Sequence, residues 1–275
     1  MKSFSEQGLR ANRAFVLVAA VALVAIGTCG FARGADYTAR DLTKQLFGAQ
    51  AGATPDLSGK DLNGLDLAGI DFKGTRLAKA NLFGADLSGA NLAHSDLKGA
   101  VLDRTSIIGA KFDAADLEGS SILRPNTFSG LTPEPKEAPS FKGANLRKAR
   151  IFARLSSANL SGADLTDAYC APFGKTGFIE VIWRTELASA DLSNAILKRT
   201  DLTHALMNFA DLRNADLSDS ILVNADLSGA NLQGANLSGA DLTGADLEGT
   251  ILTGARGLDS VKGLQSVRNG NKAVY

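Results

Sequence analysis

The sequence predicts an all-β solenoid, a chain that winds repeatedly around one apolar interior. Three observations predict it. From Ala225 to Gly249 the chain reads "ADLSGANLQGANLSGADLTGADLEG", a five-residue word A-(D/N)-L-x-G said five times. Apolar centres recur at spacing five well beyond that stretch, from Leu57 to Ile122, from Phe141 to Cys170 and from Leu187 to Leu252. Two residues before a centre there is usually a second small or apolar side chain, as at Ala80, Ala85, Ala90, Ser95 and Ala100.

A period of five fits neither simple element. A helix would scatter these leucines around its axis, because its period is 3.6 residues. A long strand would send successive leucines to opposite faces, because five is odd. A three-residue strand followed by a two-residue corner keeps all of them inside. The small first position and the large third then fill the interior together. Glycines at the corner, such as Gly84, Gly89 and Gly99, tolerate backbone conformations that other residues resist. Neighbouring coils pair edge to edge, as in other solenoids. In the middle block the period slips once, to four residues between Ile151 and Leu155.

Tandem A-(D/N)-L-x-x words resemble the signature of pentapeptide-repeat proteins, and the resemblance covers about 35 words, most of Pro55 to Gly254. It implies a right-handed quadrilateral β-helix with four words per coil. At the usual strand spacing of about 4.8 Å this gives a rod roughly 40 Å long. Leu187, Met207, Leu227 and Leu247 would stack in one interior column. Outside, Asp191 would lie beneath Asp211 and Asp226 beneath Asp246, while Asp71, Asn91 and Lys111 form a mixed column. Like charges about 5 Å apart on a wet surface repel only modestly. The outward Asp and Asn are read as turn and ladder residues, because they bond nearby backbone.

The elements follow in order. Residues 1–34 read as a secretory signal peptide: Lys2, Arg10 and Arg13 precede an apolar run from Ala14 to Gly27, and Ala32-Arg33-Gly34 fits a small-x-small cleavage site. Two rivals stay open, an uncleaved anchor over Ala14 to Ala32 and a lipoprotein cleaved at Cys29. Residues 35–54 read as a capping helix, with Thr38 and Asp41 at capping-box spacing and Leu42, Leu46 and Phe47 near one face. The β-helix spans 55–255, interrupted by loops at 124–140 and 172–184. The first loop holds four of the six prolines; the second holds the single tryptophan, Trp183, with Phe173 and Phe178. Residues 256–275 lose the five-residue period and read as a looser cap or a homodimer contact.

Charge and chemistry bound the function. Without residues 1–34 the chain carries 25 basic and 28 acidic residues, net −3, too mild to demand a polyanion or polycation as partner. Residues 124–184 hold nine Lys and Arg against five Asp and Glu, whereas residues 185–255 hold ten acidic against three basic. Gly174 to Thr176 reads "GKT", but Tyr169 stands where a phosphate loop needs glycine. The two histidines, His94 and His204, sit far apart at outward corners and form no ligand cluster. No catalytic, cofactor or metal site is expected, and Cys170 is the only cysteine after the leader. The sequence therefore reads as a non-enzymatic scaffold, periplasmic or secreted, or else held at the inner membrane by its leader. Its partner is expected to be a protein and not a nucleic acid. The expected contact region is Arg147, Lys148, Arg150 and Arg154 with Phe173, Phe178 and Trp183. The resemblance implies an alternative, a DNA mimic acting on DNA gyrase, which the export signal and near-neutral charge disfavour; a supercoiling assay separates the two.

Overall fold

The computed structural model describes residues 36–48, 54–72, 74–130, 134–172 and 184–275. The chain divides into Met1–Arg33, outside those residues, and the repeat-bearing unit Gly34–Tyr275. The word Asp226-Leu227-Ser228-Gly229-Ala230 shows how five residues make one side of a square. Leu227 N–H donates to Asp246 O on the next coil (2.9 Å) and Gly229 N–H to Glu248 O (2.7 Å). Asp226 N–H donates back to Ala205 O on the previous coil at 2.9 Å. Ala230 N–H closes a turn on Leu227 O at 2.9 Å, with Gly229 at φ +65°. That positive φ at the third turn residue is what glycine supplies without strain. A side chain at Gly229 would also meet the Phe209 ring at 2.6 Å.

Four faces result, each a ladder of parallel backbone pairs from coil to coil. Face one starts Asp56, Arg76, Asp96; face two Asp61, Asn81, Val101; face three Asp66, Asp86, Ser106; face four Asp71, Asn91, Lys111. The chain is thus a right-handed quadrilateral β-helix. Its walls are so short that only β1 (Ser121–Leu123) and β2 (Arg150–Phe152) are full strands among the described residues; they pair in parallel, Ser121 against Arg150.

The interior is built as the spacing requires. Leu187, Met207, Leu227 and Leu247 are all at most 2% exposed. The alanines two residues before the centres are buried with them. Each buried leucine contributes on the order of 2 kcal/mol, so the columns are the main stabilising feature. Where threonine replaces the small residue, its hydroxyl bonds backbone: Thr250 donates to Leu227 O at 2.8 Å.

The outward Asp and Asn hold the turns as expected. Asp56 Oδ1 accepts the N–H of Ser58 (3.0 Å), and Asp241 Oδ1 that of Thr243 (2.9 Å). At several places where Asn follows Asp in a column, its amide donates downwards: Asn81 to Asp61 (2.9 Å), Asn145 to Asp116 (3.0 Å), Asn236 to Asp216 (2.9 Å). An alternating column thereby converts like-charge repulsion into a hydrogen bond.

The first excursion is narrower than the sequence suggests. Asn126 still pairs with Ser106, and the buried Thr127 donates its hydroxyl to Arg154 O at 2.8 Å. A short 3-10 turn follows at Pro135–Glu137, and Ser140 rejoins face four against Lys111. Phe141 then stacks on Phe112, with ring centroids 4.9 Å apart, so the interior column continues across the gap. The second excursion leaves after Tyr169 on face two and returns at Glu186 on face three.

Both ends are covered. Helix α1 (Ala39–Gly48) buries Leu42 and Leu46; the side chain of Phe47 lies outside the described set. Thr38 caps the helix, its hydroxyl accepting the Asp41 N–H (3.2 Å) and donating to the Asp41 carboxylate (2.6 Å). Asp36 and Asp61 exchange bonds that tie this segment to the first coil. At the other end, residues 256–275 form a further coil rather than an aperiodic tail. Arg256, Lys262, Arg268 and Val274 extend the four faces in turn. Each side now takes six residues, with a 3-10 turn in each corner: Leu258–Ser260, Leu264–Ser266 and Gly270–Lys272.

Cys170 occupies an interior centre, 1% exposed. Burial, helped by the nearby Asp201, pushes its thiol up to about 12. The native protein is therefore expected to resist iodoacetamide at pH 8 and to react fully in denaturant, as intact mass spectrometry would read. Rapid native alkylation would place Cys170 outside the column.

Candidate interaction surface

The basic segment of the middle coils is laid out by the same register. Arg147 and Lys148 follow Asn145 around the corner between faces one and two, with Lys148 at φ +55°. Arg150 stands outward on face two and Arg154 on face three. Lys148, Arg150 and Arg154 are exposed and Arg147 half-buried, as the spacing requires. They are spread around one coil rather than gathered in one patch. Phe173, Phe178 and Trp183 lie outside the described residues.

Neighbouring coils supply carboxylates to much of this charge. Arg147 Nη1 pairs with Asp164 Oδ2 (3.2 Å), Lys148 Nζ with Glu118 Oε1 (3.3 Å) and Arg154 Nε with Glu186 Oε2 (3.0 Å). Arg154 also lies over the Phe128 ring, 4.4 Å from its centroid. Burial pushes the Asp164 carboxyl up, but the Thr166 hydroxyl and N–H and the Arg147 guanidinium outweigh it. They hold it below its ordinary 3.8. Such half-exposed pairs contribute about 0–1 kcal/mol each, so they orient these side chains more than they stabilise the rod.

One group of residues was not singled out from the sequence. Arg104 and Arg124 occupy the same corner, between faces two and three, on successive coils, at φ +57° and +52°. On the next coil the step from Ile151 to Leu155 is one residue short. The residue lost is the corner residue itself, so Phe152 runs directly into Ala153. Arg124 N–H donates to Phe152 O at 2.7 Å, which fixes Phe152 directly against that corner. The gap leaves a cleft of about 330 Å³, lined by Arg104, Arg124, Phe152, Arg154, Arg184 and Glu186 among others. The signal in the sequence was the twenty-residue spacing of the two arginines, read together with the slip.

Other candidates resolve simply. His94 is an exposed corner residue and His204 a half-buried one, at φ +61° and +60°. Among the described residues no group of three His, Cys, Asp or Glu could hold a metal ion, and no helix is long and apolar enough to cross a membrane.

A solenoid of this geometry, with Asp or Asn turning each corner and Leu filling each side, defines the class. The chain belongs to the pentapeptide repeat family: eight copies of the repeat match, over residues 56–92, 80–119, 140–170, 185–222 and 220–256. Solved structures similar to it include HetL, a pentapeptide repeat protein involved in heterocyst differentiation regulation in the cyanobacterium Nostoc sp. strain PCC 7120. It is 27% identical, with 82% of this chain and 90% of that chain covered and a TM-score of 0.34. Rfr23 from the cyanobacterium Cyanothece 51142 is 29% identical over 50% of this chain and 90% of its own, TM-score 0.26. A pentapeptide repeat protein of the Arabidopsis thaliana thylakoid lumen is 31% identical over 46% of this chain and 72% of its own, TM-score 0.23. No curated protein matches the chain.

Proposed function

We propose that this protein is an exported, non-enzymatic scaffold that binds a protein partner through the outer faces of its middle coils. The observation that carries the reading is where the repeat is broken. Elsewhere each position serves the fold. Centres and alanines fill the interior, Asp and Asn hold the turns, and glycine or a tolerant residue makes the corner. Both excursions and the slip fall between residues 126 and 186, together with the basic excess. Irregular segments on a rigid frame are where binding residues gather. Pentapeptide repeat proteins are generally structural or interaction proteins, which supports a binding role over a catalytic one.

The contact region is Arg147, Lys148, Arg150 and Arg154, with Phe173, Phe178 and Trp183 of the second excursion. Affinity capture from periplasmic extract should compare the wild type with Trp183→Ala and with a four-fold change of the basic residues to Glu. Circular dichroism would check that each variant folds. Specific partners are expected to be lost from both variants; identical partner sets for all three proteins would discard the region. Export is tested by the N-terminal residue of the mature protein, expected to be Ala35.

A further inference from the structure

We propose that the cleft between faces two and three is a binding site for a small organic anion, a single phosphate or carboxylate group on a flat apolar body. The cleft shares Arg154 with the proposed protein-contact region, but the site is tested through residues outside that region.

The charge of the cleft is the first observation. Four arginines line it, Arg104, Arg124, Arg154 and Arg184, with one acidic residue, Glu186. Glu186 is engaged by Arg154 at 3.0 Å. Arg104 and Arg184 enter no ion pair among the described residues, and the Arg104 guanidinium lies 6.0 Å from the Phe83 ring centroid. An arginine fork matches the two oxygens of a carboxylate or phosphate, and an anion bound here would offset the repulsion among these like charges.

The second observation is the apolar wall. Phe152 is 6% exposed and lines the cleft, with the Arg124 guanidinium 6.0 Å from its ring centroid. An inorganic anion would use the arginines and make no use of the apolar wall. A ligand with a flat or acyl body uses both. The volume, about 330 Å³, lies at the small end of ordinary small-molecule sites.

The third observation excludes a polymer. A nucleic acid or acidic chain laid along this corner would meet carboxylates on either side of the arginines. Asp86 stands on face three below them, and Asp201 and Asp226 stand on faces two and three above. Along this corner the arginines are bounded by carboxylates above and below, so the field favours a compact anion. The frame is also preorganised, since the corner arginines hang from a hydrogen-bonded ladder that ordering by a ligand need not build.

The test uses the mature full-length chain and isothermal titration with phenyl phosphate, benzoate, inorganic phosphate and phenol. Phenyl phosphate or benzoate is expected to bind saturably at 1:1, about tenfold or more tighter than inorganic phosphate or phenol. The variant Arg104→Gln/Arg184→Gln should weaken that binding by about tenfold or more, because both side chains supply charge-assisted bonds. Arg213→Gln, in the acidic block, should leave it unchanged. Phe152→Leu, which keeps an apolar side chain, should lose the preference for phenyl phosphate over inorganic phosphate. Circular dichroism would establish that each variant folds. Absence of saturable binding of either aromatic anion at about 10 mM would overturn the proposal. So would equal affinity for inorganic phosphate, which marks an adventitious ion only, or unchanged affinity in the double arginine variant.

Discussion

Leu227→Asp combined with Leu232→Asp is expected to abolish folding of the rod. Leu227 is fully buried and Leu232 1% exposed, on adjacent sides of one coil. Leu227 lies in the column between Met207 and Leu247. Every neighbour in that interior is aliphatic or a small side chain, so a carboxylate there finds no cation. Each change forfeits about 2 kcal/mol of burial. It then adds the far larger cost of an unpaired buried charge, which is met only by protonation or by opening the coil. A total stability of about 5–15 kcal/mol cannot absorb both changes. Because a solenoid is held mainly by contacts between adjacent coils, a broken coil also uncouples those on either side. Circular dichroism and limited proteolysis would read the loss. The outward change Gln233→Asp on the same coil should alter stability by no more than about 0.5 kcal/mol. A folded, protease-resistant double variant would remove the basis for placing the leucines inside.

What was legible in the sequence was whatever every coil repeats. The inside and outside of each word could be read because the same packing problem is solved about 35 times, and a single misplaced residue would stand out. The columns that mix Asp with Asn could be read for the same reason, and the Asn236 to Asp216 bond at 2.9 Å is their physical content. The last coil was missed because it changes period. "GLDSVKGLQSV" repeats every six residues, with Gly257 and Gly263 at φ +77° and +70°. A search for fives reads it as noise, although the extra residue merely widens each corner into a 3-10 turn. The cleft was less legible still. Arg104 and Arg124 share a register that spacing reveals, but a cleft between coils needs the missing corner at Phe152 and the return of the chain at Arg184. The missing corner shows in one dimension as the slip between Ile151 and Leu155, but the return of the chain at Arg184 has no such pattern. The two excursions likewise announce themselves by composition, while where they leave and rejoin the coil is fixed by backbone pairing between residues far apart in the chain, such as Arg154 with Glu186.

Removal of residues 256–275 is expected to turn a well-behaved rod into one that associates end to end. In the intact protein the N–H groups of Leu237, Leu242, Leu247 and Leu252 donate to Arg256, Lys262, Arg268 and Val274 carbonyls at 2.6–3.0 Å. The return bonds run from those four residues to Ala235, Ala240, Ala245 and Thr250. Leu258, Val261, Val267 and Ala273 pack against the ends of the interior columns. Truncation after Ala255 exposes all of these at once: four edges with unpaired donors and acceptors, framing an apolar surface. Such an edge is a template for another chain, and the natural coil guards it with Arg256, Lys262 and Arg268. Sedimentation velocity between about 1 and about 100 µM should show concentration-dependent assembly of the truncated protein and none of comparable size for the full chain. A gentler variant separates capping from mere length. At Gly257 and Gly263 a Cβ would meet the Ser238 and Thr243 backbone at 2.5 and 2.6 Å, at φ values that already disfavour alanine. Gly257→Ala/Gly263→Ala keeps every residue yet should loosen the coil, giving weaker association in the same direction. If both variants stay monomeric with unchanged melting temperature, this coil does not protect the edge and has no capping role.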